Sequence, residues 1–440
     1  MARLPPHLTP RAAAGSPAPS AGALGEVFRA FLRLGLTSFG GPVAHLGYFR
    51  EEFVARRRWL SDAAYAELLA LCQFVPGPAS SQLGIAIGLH RAGALGGLLA
   101  WLGFTLPSAV LLVGLAAMGT ALPSTQAVRG ALLGLLAVAV VVVAHAVWGM
   151  ARSLAPDSQR RVIALVGMVL ALLVPSALGQ VLAIACGAAA GLLWLRDRGT
   201  SRAAEREDTR SAEAAQVIPA ERTSWAPTPI PGIWAVTLLC ALLVLLPLAA
   251  LIWRSIWLGI ADAFTRAGAL VFGGGHVVLP LLGAEPVVAA GVDPEQFMAG
   301  YAAAQAVPGP LFTFAAGLGF ELGTNAGLGW GALGAAALAL VAVFLPGVLW
   351  LLAALSVWER LRASTLAQAA LRGANAAVVG ILAAALVTPV VPAGLTGWVS
   401  LGIALLAIIL LLWRRPAWQV VLAGATVGAL LAAAGLPLGW

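Results

Sequence analysis

The stretch QFVPGPASSQLG, residues 73–84, interrupts a long apolar run, and QAVPGPLFTFAAG, residues 305–317, interrupts a second one in the same way. Proline lacks the backbone N–H that a helix interior uses, and its ring clashes with the preceding turn, so each Pro-Gly-Pro ends a helix. Apolar runs at 95–121, 131–150, 232–253, 328–356 and 396–413 approach or exceed the roughly 20 residues that cross a bilayer. Only helices and closed barrels satisfy their backbone polar groups in lipid, and the period-2 alternation of a barrel is missing. The pattern predicts an all-α polytopic membrane protein whose helices are broken twice at one motif.

Composition agrees. Of 440 residues, 60% are hydrophobic and 10% charged, with a mean hydropathy of +0.93, a balance foreign to soluble globular domains. Every basic residue is Arg. A chain without Lys has no Walker A P-loop, kinase lysine or Schiff base, which argues against energy from bound ATP. Cys72, Cys186 and Cys240 lie far apart in apolar surroundings, so neither a zinc site nor a disulfide framework is indicated. No cofactor or metal is expected, and nothing points to nucleic acid. No signal-peptide pattern precedes the first apolar segment, and residues 1–24, rich in Pro, Ala and Ser, read as a disordered tail.

The breaks belong to a duplicated unit. FLRLGLTSFGG at 31–41 and FTRAGALVFGG at 264–274 share Phe, Arg, Gly, Phe, Gly and Gly at a constant offset of 233 (39 to 272). Gln73, Pro76, Gly77 and Pro78 recur as Gln305, Pro308, Gly309 and Pro310 at an offset of 232 (73 to 305). FTLPS at 104–108 resembles VFLPG at 343–347. The boundaries read as a first repeat over 25–195, a solvated linker over 196–231, a central transmembrane helix over 232–254 and a second repeat over 255–440.

One extra crossing before the second repeat turns it upside down. Arginine placement agrees, because loops on the cytoplasmic side collect basic residues. FREEFVARRRWLSD (49–62) carries Arg50, Arg56, Arg57 and Arg58, whereas GAEPVVAAGVDPEQ (283–296) carries no Arg and three acids. If 28–49 and 64–90 enter and leave on one side as broken hairpins, these arginines, Arg91, Arg152, Arg160, Arg161 and the linker all become cytoplasmic. The expectation is two inverted repeats with re-entrant or broken helices at FGG and PGP, and about thirteen membrane segments.

Broken ends expose backbone amides and carbonyls, which membranes tolerate only where protein or a water-filled cavity satisfies them. A helix N-terminus suits an anion, and glycines permit close approach to a ligand. Inverted repeats with broken helices are a recurrent design of secondary transporters, with substrate at the repeat interface. The candidate substrate-binding residues are therefore Phe39, Gly40, Gly41, Pro76, Gly77 and Pro78 in the first half, and Phe272, Gly273, Gly274, Pro308, Gly309 and Pro310 in the second. Arg33 and Arg266 stand six residues before the FGG phenylalanines. Their planar forks suit oxyanions, although snorkelling to the headgroups would place arginines there too. Gln73 and Gln305 read either as donors to an anion or as helix-to-helix hydrogen bonds. His45 and His276, and more weakly Glu67 and Glu321, are candidates for substrate or proton contact.

These residues resemble the chromate ion transporter (CHR) family. The resemblance is carried by FGGP at 39–42 followed by AHLGYF, by Gln73 with PGP at 76–78, and by FGGGHVVLPLL at 272–282 with Gln305 and its PGP. It covers roughly 25–195 and 255–435 and fits the long, two-domain form. It implies export of chromate across the inner membrane, giving chromate resistance, with sulfate as a competing ion and the bilayer as the surrounding medium; an oligomer is compatible with it. Other readings are an uptake carrier for sulfate or another oxyanion, or a membrane scaffold. An intramembrane enzyme is opposed by the absence of paired Asp, HExxH or a GxSG serine.

Overall fold

The computed structural model describes residues 21–38, 41–121, 125–195, 229–272, 275–413, 415 and 417–436. Most of the expected N-terminal tail and linker, together with Phe39, Gly40, Gly273 and Gly274, lie outside the described residues. Among the described residues the chain is helical, without strands.

The first half comprises α1 (Ala21–Thr37), α2 (Gly41–Arg50) running into a π-helical turn (Glu51–Arg56), α3 (Asp62–Phe74), α4 (Ala79–Ala121), α5 (Gln126–Leu154), α6 (Ser158–Leu173) and α7 (Ala177–Trp194). After α8 (Gly232–Trp253) come α9 (Ile256–Ala269), α10 (Val278–Gly283), α11 (Pro286–Gly291), α12 (Pro294–Ala306), α13 (Phe314–Asn325), α14 (Gly331–Ala363), α15 (Thr365–Ala385), α16 (Trp398–Leu412) and α17 (Ala417–Ala433). Side-chain caps fix several starts. Ser61, Thr125, Asp157, Ser176 and Ser364 each accept a backbone N–H of the first turn of α3, α5, α6, α7 and α15, which satisfies donors the helix cannot. Five spans, within α4, α5, α8, α14 and α15 with its extension to Gly394, are long and apolar enough to cross a membrane.

The long helix α4 is two helices. Ala92 and Gly93 leave helical geometry, Gly93 at φ +66°, and the chain reverses there. A Cβ on Gly88 would come within 2.8 Å of Ala100 Cβ, so residues 79–91 and 94–121 lie side by side. In the second half, α13 and α14 form the matching hairpin, with Gly323 against Ala332 and Ala335.

Glycine decides how the helices approach. Lipid tails are as apolar as leucine, so association in membranes relies on close backbone contact at small residues. Gly35 of α1 packs on the carbonyls of Gly103 and Phe104, and its repeat counterpart Gly268 of α9 packs on Val343 of α14. Among the last three helices of each half, the first is exchanged: α5 packs with α16 and α17, and α15 with α6 and α7. Gly130 and Gly134 of α5 meet Gly428 and Gly424 of α17, while Gly373 and Ala377 of α15 meet Gly187 and Gly191 of α7. Thus α5 packs on the last helix of the second half, and its counterpart α15 on the last helix of the first.

Charge gathers at one end of the first half. Arg57 pairs with Glu26 of α1 and Glu52 of the π-helical turn, Arg56 pairs with Glu52, and Arg91 pairs with Glu26. Trp59 lies between Arg57 and Arg91, whose guanidinium carbons are 5.4 and 5.3 Å from its ring centre. Burial pushes the Glu52 carboxyl up, but the hydrogen bond and charge of Arg57, with Arg56 and Arg33, outweigh it and hold it below its ordinary range. Beneath this cluster Phe31, Phe49, Phe53 and Phe104 pack ring on ring, mostly edge-on, with centroid separations of 4.8–5.8 Å; such pairs contribute roughly 0.5–1.5 kcal/mol each beyond area burial.

Candidate functional site

Each Pro-Gly-Pro ends one helix and starts the next, and each reaches into the other half. Gly77 N donates to Val271 O at 2.7 Å, and Gly309 N donates to Ser38 O at 3.0 Å. Val271 and Ser38 are repeat equivalents (38 to 271, offset 233), so the two bonds are reciprocal. Each glycine also rests on the LP-containing turn of the opposite long helix. Gly77 lies over Gly347 of α14, and Gly309 over Phe104 and Ser108 of α4. Their φ values of +128° and +102° belong to glycine, since side chains are strained there. All six residues of the two motifs are buried. The loops therefore cross at the centre of the protein, each seated between the FGG region and the LP turn of its partner.

Two histidines flank the crossing. His45, buried, donates from Nε2 to Ser38 O at 3.2 Å, which leaves Nδ1 to accept from Ser80 Oγ at 3.5 Å; its ring meets Phe104 edge-on at 5.2 Å. His276, half-buried, shares a 2.8 Å hydrogen bond between Nδ1 and the Tyr301 hydroxyl, with Gln305 Nε2 at 3.5 Å from the same nitrogen. An amide nitrogen only donates, so Nδ1 accepts and the ring proton sits on Nε2. His276 also lies near enough to His145 of α5 to interact electrostatically.

The remaining candidates are placed as follows. Gly41 follows the first FGG break at φ +74°, and Phe272 is half-buried against the core. Gln305 joins His276, whereas Gln73 is exposed. Arg33 is exposed, on the face whose charge Glu52 feels. Arg266 is half-buried and held by Asp262 at 2.8 Å and by Glu285. Glu285 is the repeat equivalent of Glu52 (offset 233), so each arginine works beside the same acid of its own half. Glu67 on α3 and Glu321 on α13 are half-buried.

Gln82 is absent from the sequence-derived set. Its Nε2 donates to Pro76 O and Gly347 O, both at 2.8 Å, tying the first loop to the opposite half. Tyr301 is also absent from it. The signal for Gln82 was present: SSQ at 80–82 is a run of three polar residues directly after a motif surrounded by apolar sequence.

A helical membrane protein with two internally repeated halves and broken helices crossing at its centre is of the secondary-transporter class. The profile described as "Chromate transporter" matches residues 25–192 and 258–429. The chain is 30% identical over 363 residues to the chromate transport protein of Pseudomonas aeruginosa, covering 82% of this chain and 79% of that protein. It is 27% identical over 331 residues to the probable chromate transport protein of Synechococcus elongatus, covering 73% of each. An 85-residue stretch is 44% identical to the chromate transport protein of Cupriavidus metallidurans, covering 19% of this chain. No solved structure matches the chain. The chain belongs to the chromate transporter family, whose members are transporters and not enzymes.

Proposed function

We propose that this protein is a secondary transporter that exports chromate across the inner membrane, conferring chromate resistance. The single observation that carries the reading is the reciprocal pair of bonds, Gly77 N to Val271 O and Gly309 N to Ser38 O, in a chain of this family. Two loops that each hold the other half's break form one centre, where broken helix ends present backbone donors to an anion. The site comprises the FGG motifs (Phe39, Gly40, Gly41; Phe272, Gly273, Gly274) and the PGP motifs, with Gln73, Gln305 and His276 as polar contacts. Arg33 and Arg266 supply positive field. Arg266 acts as a direct ligand only if it leaves one of its two carboxylates.

The halves are inverted and each contains two re-entrant hairpins. Supporting this, Glu26 of α1, Glu52 and Arg57 after α2, and Arg91 at the end of 79–91 share one ionic cluster. The segments α1–α2 and α3–79–91 therefore start and finish at one face. From 94 onward, 94–121, α5, α6, α7 and α8 are five crossings, an odd number, so α9 begins at the opposite face. Arg372, two turns into α15, bonds Leu195 O at the end of α7, consistent with this path. Counting each hairpin once, there are thirteen segments. On this path Arg50, Arg56–Arg58, Arg91, Arg152, Arg160, Arg161, Arg372 and Arg415 share one face and Arg129 and Arg254 the other. The first face, with the linker, is cytoplasmic.

Energetics favour export. Chromate near neutral pH is largely a dianion, and moving one charge through 100 mV is worth about 2.3 kcal/mol, hence roughly 4.6 kcal/mol for two. With the interior negative, that sustains more than three decades of outward gradient without nucleotide. The test is radiolabelled chromate flux into inverted vesicles with and without an imposed interior-positive potential. Accumulation that follows the potential supports export, and accumulation indifferent to the protein overturns the assignment.

A further inference from the structure

The two crossings share a backbone but not a polarity. Where the first half has Ser38, Ser80, Gln82 and Thr105, the second has Val271, Phe312, Phe314 and Phe344. All eight are buried, each at 3% exposure or less. The second set fills its side of the molecule with packed rings, Phe312 lying 5.6 Å from Phe344. In the first set Ser38 Oγ and Thr105 Oγ1 have no hydrogen-bond partner among the described residues, and neither has Ser81 Oγ, the chain neighbour of Ser80. The counterpart of Ser81 is Thr313, whose hydroxyl donates to Pro310 O at 2.7 Å and so serves its own loop. Burying an unpaired hydroxyl in an apolar interior costs free energy, and the second half shows that the fold is built equally well with hydrocarbon at the matching positions.

One of the orphan hydroxyls, that of Ser81, stands at a helix start. Ser80 and Ser81 lie in the first turn of 79–91, directly after Pro78, where the first intrahelical bond is Gln82 N to Pro78 O. The amides of Ala79, Ser80 and Ser81 precede it and are donors that the helix does not use. Ser80 Oγ meets His45, His45 holds Ser38 O, and its ring lies on Phe104, next to Thr105. Ser38 and Ser80 therefore meet one histidine, and Thr105 directly follows the Phe104 whose ring lies against it. Gln82 uses both amide hydrogens on Pro76 and Gly347; its Oε1 is an acceptor, so its part is to position the loop.

We propose that, within this site, the oxygens of the transported oxyanion are taken by the hydroxyls of Ser38, Ser81 and Thr105 and the free amides at the start of 79–91, while the matching apolar positions of the second half hold the loops. A helix N-terminus whose first turn carries an unpaired hydroxyl suits a tetrahedral dianion without requiring a cationic side chain. The inference rests on the oxyanion-carrier reading above and narrows it to one asymmetric site.

The test is equilibrium dialysis of the purified full-length protein in detergent against radiolabelled chromate, and separately sulfate. Ser81→Ala and Thr105→Val should each weaken binding about tenfold, equivalent to roughly 1.4 kcal/mol. Ser81→Thr, which keeps the hydroxyl, should retain most of the affinity, and Thr313→Val in the second half should stay within about twofold of wild type. If either truncated variant fails to purify, Ser81→Cys and Thr105→Cys, near in shape but weak as donors, should show the same loss. Wild-type affinity in folded Ser81→Ala and Thr105→Val, or a loss on Thr313→Val equal to theirs, overturns the asymmetric site while leaving oxyanion transport standing. A wild-type protein that binds neither anion removes both readings.

Discussion

Adding one methyl group at Gly77 should separate the two halves. At φ +128° an alanine occupies backbone territory that costs on the order of 1–3 kcal/mol. Its Cβ would stand 2.9 Å from Gly347 Cα and 2.6 Å from Gln82 Nε2. Gln82 can swing aside only by releasing Pro76 O and Gly347 O, and Gly347 is backbone of the opposite half, so α14 must retreat. Overpacking of this kind adds about 1–3 kcal/mol. We therefore expect Gly77→Ala to destabilise the protein by about 2–6 kcal/mol and to abolish chromate transport, with the larger Gly77→Leu and Gly309→Leu doing so at least as severely. Reversible unfolding in mixed detergent–dodecyl sulfate micelles, followed by tryptophan fluorescence, measures the first quantity and vesicle flux the second. Gly47→Ala on α2 is the control: nothing lies within 4 Å of its added Cβ, and the change should be neutral or stabilise by up to about 1 kcal/mol. A Gly77→Ala protein within about 0.5 kcal/mol of wild type that transports at the wild-type rate would refute the claim that the crossing sets the spacing of the halves.

Cysteines placed at Arg57 and Ala290 in a variant cleared of native cysteines should label from opposite membrane faces, Arg57→Cys from the cytoplasm; labelling of both from one face removes the inversion. Arg266→Gln leaves Asp262 and Glu285 without their cation and should lower stability by up to about 3 kcal/mol, with Arg266→Gln/Glu285→Gln regaining part of it. A raised half-saturation concentration for chromate at unchanged stability would instead make Arg266, and by the same assay Arg33, direct ligands. Because Glu52 is held below its ordinary value of 4.5, its ion pairs contribute stability that is complete above that value and lost as pH falls through the lowered one. Glu52→Gln should be less stable than wild type at neutral pH and should flatten this acid limb; identical acid profiles would count against the Glu52 cluster.

The breaks are legible in the sequence because proline and glycine constrain the backbone whatever surrounds them. The reversal at Ala92–Gly93 is legible from the return of charge at His90–Arg91 between two apolar runs. What each break touches is not legible. The bond from Gly309 to Ser38 joins residues 271 positions apart (38 to 309), and nothing local to either names the other. The exchange of α5 and α15 between halves is hidden for a related reason, since a glycine face reads the same whichever helix covers it. Arg266 shows the boundary within one residue. Asp262 lies one helical turn away and is foreseeable as a partner, whereas Glu285 arrives from beyond the FGG break. The repeat itself misleads at the polar positions, because identity in the motifs draws attention away from SSQ against FTF, where the halves part company.

The exchanged helices impose an order on synthesis. When the chain has emerged as far as Trp194, Gly130 and Gly134 of α5 and Gly187 and Gly191 of α7 have no partner of their own half to close upon. Their partners in α15 and α17 are encoded more than 170 residues later (194 to 365), the better part of the second half. The nascent first half must therefore wait in the bilayer with its bare glycine seams open to lipid or to chaperoning proteins. A ribosome stalled before α15 leaves an orphan prone to pairing with other copies of itself.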